Sequence, residues 1–488
     1  MPCQDVARPY SCSFPPIAYP RVLMTLGALL LAAAASASRE EPPVQDDNPT
    51  AAARAVILII GDGMDDQQIT IARNYLKGAS GQLLLDEMPL RASAGVLTVA
   101  DAVDGKPLYV ADSANTATSM ATGVVTSRAR IATSAGSDED LTTIVELAAA
   151  AGYRTGLVTT ASVTDATPAA FAAHVSFRLC EDPSTMVDIS YKEIPLGGCP
   201  ADLKANGGEG SIAEQLASSS VQVILGGGRK HFKPEAEGER VTVAELATQQ
   251  GFQVVTSREE LLQATPTGRL LGLFSADTMP VRLQGEHGRE AEAPEPSALN
   301  HLHRYLGDVT LPAPMRCVPN PAAAEVPSLQ QMTEAALARL SRDNDRGFFL
   351  MIESASIDKQ SHERKPCGSI GEVEQLNEAL ASALAYADRH ANTLILVTAD
   401  HAQAAQLVPE ESLYAAFPIP IYSPGKIARI VTPEGGLMGV NYATNNFSHE
   451  EHTGANVPLY ANEAGIGRLP TYIRQPEIFT VMRDYLGL

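Results

Sequence analysis

Basic residues are scarce in this chain. Its 488 residues carry 36 Lys and Arg against 57 Asp and Glu, a formal charge of −21. Non-specific nucleic-acid binding needs a basic footprint, so this balance excludes a nucleic-acid-binding role. It also repels phosphate or sulfate at long range. A site for such an anion therefore needs strong local positive charge, which metal ions supply. Tryptophan is absent, and aromatic residues make up only 5% of the chain. Long apolar runs are missing too: Val22 to Ala35 is too short to span a bilayer comfortably. That run follows Arg21 and leads into Ala35-Ser36-Ala37, an A-x-A cleavage pattern, so residues 1–37 read as a signal peptide. No Arg-Arg pair precedes it, which favours the general secretory route. The expected location is periplasmic or secreted, with no stable membrane anchor after cleavage.

Cysteine is sparse as well. Two of the six, Cys3 and Cys12, fall in the leader, which leaves Cys180, Cys199, Cys317 and Cys367. No close Cys-x-x-Cys pair occurs among these four, which argues against a zinc ribbon. Four cysteines allow three pairings. Sequence proximity favours Cys180–Cys199 and Cys317–Cys367 in an oxidising compartment.

The length suits one large α/β domain with insertions, or two domains. Strand and helix patterns alternate from end to end without a low-complexity break. This favours a single domain over 52–488, preceded by a polar arm at 38–51. Apolar runs predict strands near 55–60, 155–160, 221–225, 251–255, 270–274, 348–352 and 393–399. Helices are expected over 67–75, 114–123, 144–151, 328–340 and 371–390. Residues 277–316 differ: five prolines and no clear period mark a small peripheral insertion over the active face. The fold class expected is α/β, a three-layer αβα sandwich around a large, mainly parallel sheet.

Acids and histidines stand where strands should end. Asp62 follows Ala55–Ile60; Glu353 follows Phe348–Ile352; Asp400-His401 follows Thr393–Ala399. Ligands bind at the carboxyl ends of strands in open α/β sheets. Carboxylate and imidazole suit divalent metals. Asp358 and His362 are four apart, so a helix there turns both to one side. Glu450-Glu451-His452 offers a further imidazole. Ser113, after Asp112, opens a helix of small residues, where the positive dipole end favours an anion. No Gly-x-Ser-x-Gly elbow surrounds it, so metal activation is the remaining way to make it a nucleophile. Arg178 is a candidate two-pronged phosphate clamp.

Seven motifs run in order along the chain. They are Gly61-Asp62-Gly63-Met64, Asp112-Ser113-Ala114, Asp165-Ala-Thr167-Pro168-Ala169, His174-Val-Ser-Phe-Arg178, Glu353 to His362, Thr398-Ala-Asp400-His401 and Glu451-His452-Thr453-Gly454. Together they resemble the bacterial secreted alkaline phosphatases over about residues 52–488. The resemblance implies hydrolysis of phosphate monoesters through a phosphoserine, with broad specificity and a role in phosphate scavenging. It implies two Zn²⁺ and one Mg²⁺ per subunit. Asp358, His362 and His452 would hold one zinc, and Asp62, Asp400 and His401 the other. Asp62 would also reach the magnesium, shared with Thr167 and Glu353. Ser113 would be the nucleophile and Arg178 the clamp, oriented by Asp112, while Asp165 and Lys359 would flank bound water and phosphate. The four cysteines fit two disulfides of the family, and a homodimer is implied. Asp65 and Asn115-Thr116 depart from residues common in the family, as does the missing Trp. Sulfatases need a Cys/Ser-x-Pro-x-Arg context that Ser113 lacks, and Arg178 speaks for monoesters over diesters.

Overall fold

The computed structural model describes residues 53–191, 193–303, 306–409 and 425–488. The leader at 1–37 lies outside them, as does the arm at 38–51. Ten strands form the main sheet: β1 (Arg54–Gly61), β2 (Leu90–Gly95), β3 (Arg154–Ser162), β4 (Val223–Gly227), β5 (Phe252–Val255), β6 (Arg269–Leu273), β7 (Gly347–Ser354), β8 (Thr393–Ala399), β9 (Val457–Ala461) and β10 (Tyr472–Arg474). Their spatial order is β10-β2-β9-β8-β1-β7-β3-β4-β6-β5. Every pairing is parallel except those that β9 makes with β8 and β2. The mainly parallel sheet is thus as expected. Parallel strands covered on both faces read as continuous apolar runs, and Val56–Ile60, Phe348–Ile352 and Leu394–Val397 are all fully buried.

Six helices bear on the site: α1 (Asp66–Lys77), α2 (Ser113–Thr122), α3 (Leu329–Ser341), α4 (Ser356–His362), α5 (Pro366–Ala387) and α6 (Gln475–Leu486). Asp65 caps α1, its carboxylate accepting the N–H groups of Gln67 and Gln68 at 3.0 Å. The departure at Asp65 is therefore a helix cap. All ten residues of α2 are buried, as its small side chains permit. Asn115 closes a capping box with Asp112, and Thr116 bonds back to the Asp112 carbonyl at 2.9 Å. The second departure is thus the polar lining of the turn that carries Ser113.

The Pro-rich segment is tied to neighbouring strands. Residues 283–285 pair with 317–319, and bridges at Glu292–Ile427 and Met315–Ile430 join it to a three-stranded sheet within 406–442. Both expected disulfides form, Cys180–Cys199 and Cys317–Cys367, with Cα separations of 6.3 and 5.3 Å.

Candidate active site

Strand register assembles one half of the site. Ile60 is level with Glu353, and Gly61 with Ala399, so Asp62 and Asp400 emerge side by side. Gly63 follows at φ +66°, where a Cβ would lie 2.8 Å from Gln403 and 3.1 Å from Asp358. Only glycine lets the chain pass this close. The Gly63 N–H and the His401 N–H both donate to Asp400 Oδ1, at 3.0 and 2.9 Å. His401 is fully buried, and its Nε2 lies 3.3 Å from Asp62, 3.4 Å from Asp400 and 3.2 Å from Ser113 Oγ.

The other half comes from α4 and a loop. Asp358 and His362 share one side of α4, with Asp358 Oδ2 3.2 Å from His362 Nε2. His452 Nε2 is 3.4 Å from Asp358 Oδ1 and 3.0 Å from His362 Nε2. The Nδ1 atoms of both imidazoles point at main-chain carbonyls: His362 at Glu450, and His452 at Ala111 at 2.9 Å. With Nδ1 as the donor, each neutral ring turns a lone pair towards the other and towards a carboxylate. Either a proton on Nε2 or a metal cation among these atoms satisfies that arrangement.

Charge effects separate the two halves. Burial pushes Asp62 well above the usual carboxylate range, helped by the Asp400, Asp358 and Glu353 charges. Burial also lifts Glu353 to about 7. Burial opposes ionisation of Asp358, but His362 and His452 overcome it and hold that carboxyl well below its usual value. His362 is likewise disfavoured by burial, yet the Asp358 charge raises it to about 9. His401 goes the other way, lowered chiefly by its burial.

Third comes the anion side. Arg178 donates from Nη1 to Asp112 at 3.2 Å and from Nη2 to Asp165 at 3.0 Å. Lys359 Nζ donates to the other oxygen of Asp165. Burial raises Asp165, and the Lys359 and Arg178 charges more than reverse this, so it stays ionised. Asp112 also accepts the N–H of Ala129 at 3.1 Å, which fixes the carboxylate that aims Arg178. Glu353 accepts from Thr159 Oγ1. Asp62 Oδ1, Thr167 Oγ1 and His401 Nδ1 are buried without a hydrogen-bond partner. Oxygens so orphaned are costly unless something outside the chain binds them. The donors present fit divalent cations.

Two sets of ligand atoms that share Asp358, Asp358/His362/His452 and Asp62/Asp358/His401, each lie within 4.8 Å of one another. Sequence reasoning missed the groups that hold them. Gln403 Nε2 donates to Asp358 Oδ1 at 2.5 Å, and Gln475 binds the Asp400 carbonyl. Arg364 and Glu450 form a buried pair beneath the loop. Gln403 lies three residues past Asp400, a weak signal; main-chain acceptors leave none.

The comparisons agree with this geometry. Residues 53–422 match the family model described as alkaline phosphatase. The chain is 39% identical over 439 residues to an alkaline phosphatase of Escherichia fergusonii, covering 88% of this chain and 85% of that one. It is 40% identical to the streptomycin-6-phosphate phosphatase of Streptomyces griseus, covering 88% and 90%. Among solved structures, the alkaline phosphatase of the Antarctic bacterium TAB5 superposes with a TM-score of 0.61 at 21% identity, covering 89% of this chain and 99% of that one. By the family model over residues 53–422 and by relatives of 39–40% identity over 88% of its length, the chain belongs to the alkaline phosphatase family.

Proposed function

We propose that this protein hydrolyses phosphate monoesters to an alcohol and inorganic phosphate, through a phosphoserine at Ser113. One observation carries the reading: Ser113 Oγ stands 3.2 Å from His401 at the start of a buried helix, between two carboxylate–imidazole clusters and beside Arg178. Asp358, His362 and His452 would hold one zinc, and Asp62, Asp400 and His401 a second. Asp62, Thr167 and Glu353 would hold a magnesium. When bound, such ions lower the pKa of a coordinated hydroxyl and stabilise charge on the attacking and leaving oxygens.

The chain's own groups do the rest. The N-terminus of α2 presents Ser113 with its dipole turned to the phosphoryl group. Arg178 offers a planar pair of donors to two phosphoryl oxygens, steadied by Asp112 and Asp165. Lys359 adds a fixed positive charge, which holds product phosphate as well as substrate. Asp62, Asp112, Asp165, Glu353, Asp358 and Asp400 outnumber the cations Arg178 and Lys359 six to two. Without added positive charge this pocket would repel a phosphate dianion, and three divalent ions reverse its sign.

The names of the relatives bear on the leaving alcohol. A relative named streptomycin-6-phosphate phosphatase and one named alkaline phosphatase stand at 40% and 39% identity. The broad-specificity reading rests on the partly buried Arg178 clamp, which would grip only the phosphoryl group common to all monoesters. Export to the periplasm or beyond is supported by the two disulfides. No helix among the described residues is long and apolar enough to cross a membrane. Assembly as a homodimer belongs to the same proposal. The test is a rate comparison of a nitrophenyl phosphate monoester, its diester and its sulfate, with metal analysis of the same sample. The reading predicts strong monoester preference with zinc and magnesium present. Equal diester or sulfate turnover would overturn it.

A further inference from the structure

Arg364 is among the largest fully buried side chains of the described residues, at 2% exposure, and its partner Glu450 is at 0%. Two buried charges so placed need full satisfaction, and they have it. Arg364 Nε donates to Glu450 Oε2 at 2.7 Å, Nη1 to the Ser448 carbonyl at 3.1 Å and Nη2 to Asn445 Oδ1 at 3.2 Å. Glu450 Oε1 accepts the Thr444 N–H at 2.7 Å, the Asn445 N–H at 3.2 Å and the Thr444 hydroxyl. Arg364 itself sits at φ +58°, a left-handed conformation unusual for a residue with a side chain. A buried ion pair is weak evidence of net stability, since apolar replacements often do as well. Its position says more.

Glu450 touches the ligands with its main chain. Its N–H donates to the His362 carbonyl at 2.9 Å, and its carbonyl accepts from His362 Nδ1. His452 follows two residues later. Nothing between Tyr442 and Val457 is helix or strand, and its backbone ties to the site are two isolated ones, the Thr453 bridge to Ala402 and the Glu450 N–H bond to His362. The Asp400–His401 ligands, by contrast, leave a strand paired on both sides. We propose that the Arg364–Glu450 ion pair is a positioning clasp: it holds His362 and His452 ready for a cation and so slows release of that cation. The clasp rests on the metal reading above. By fixing the Glu450 carbonyl it also fixes the His362 tautomer, leaving Nε2 free to ligate, the usual service of a group behind a metal-binding histidine.

The test uses the full-length metal-loaded protein and a colorimetric zinc chelator in excess. Two variants are compared with the parent. Glu450→Gln keeps size and most acceptors but strips the charge from beneath Arg364. Arg364→Met with Glu450→Met removes both charges and leaves no unpaired ion to prevent folding. The clasp predicts that one cation leaves about ten- to a hundredfold faster in both variants, while the remaining cations leave at the parental rate. Added zinc should recover turnover. A merely structural pair would lower the melting temperature of the metal-free protein without such selectivity. Unchanged release, or equal acceleration of every cation, overturns the clasp alone. A parent that carries no cation overturns the metal reading and the clasp with it.

Discussion

Asp62, Asp400 and His401 hang from the ends of adjacent strands, whereas Asp358 and His362 come from a seven-residue helix and His452 from a loop. The first set is positioned by register: once β1 and β8 pair, the two carboxylates have nowhere else to go. The second is positioned by side chains, through the carbonyls of Glu450 and Ala111 and the amide of Gln403. Among the histidines burial follows the same division. His401 is wholly enclosed, while the His362 and His452 side chains keep 27% and 12% of their exposure. A sheet-borne ligand costs little beyond the fold itself. A loop-borne ligand needs its own ion pairs and hydrogen bonds, and it exchanges with solvent more readily.

The largest effect is expected where both halves converge. Ser113→Ala should lower turnover by about a thousandfold or more while phosphate still binds, because Arg178 and both clusters remain. Near-parental turnover would remove Ser113 from its role. Next, the halves should differ in rescue. His452→Ala should lose activity that excess zinc partly restores, since His452 and His362 are partly exposed and water can take the place of the ring. His401→Ala should lose activity that zinc does not restore, because a cavity opens beneath the serine. Equal rescue of the two would erase the distinction drawn here.

A smaller effect concerns the disulfide beside the loop half. Cys317–Cys367 closes a separation of 50 residues, worth about 4 kcal/mol in the chain-entropy model. Replacing both cysteines with Ser should lower the melting temperature and leave the rate constant of the folded fraction near the parent's. Thiol titration of the native protein should find no free cysteine among the four.

The smallest effect lies outside both halves and serves as their control. Burial disfavours the charged form of His231, but Asp182 at 2.6 Å and Glu181 at 3.0 Å raise it to about 9. The folded value stands above the ordinary histidine value near 6.5. The pair's contribution is therefore fully present below about pH 6.5 and is lost as pH rises through about 9. It should amount to about 3 kcal/mol at most. His231→Gln should flatten that part of the stability profile without changing metal content; an unaltered slope would contradict the assignment.

The same division explains what could be read from the chain before its fold was known. Asp62, Glu353 and Asp400 were legible because each follows a continuous apolar run, the signature of a strand covered on both faces. His362 was legible from its spacing to Asp358. The antiparallel strand β9 was not: Pro458 argues against a strand inside a sheet, yet it sits between two neighbours there. The strands β2 and β10, at one end of the sheet, are equally silent, since Arg-Ala-Ser-Ala and Tyr-Ile-Arg carry little apolar signal. Arg364 and Glu450 are 86 positions apart. No local pattern marks such a pair, because only the fold brings it together.

The account's central claim is that Ser113 carries the phosphoryl group during turnover. Acid quenching during turnover of a phosphate monoester at low pH, followed by peptide mass mapping, tests it directly. The account predicts one added phosphoryl group on the peptide bearing Ser113, absent when that serine is replaced by alanine. A phosphoryl group on Thr116 or any other residue, or robust turnover with no labelled peptide in a rapid quench, would contradict it.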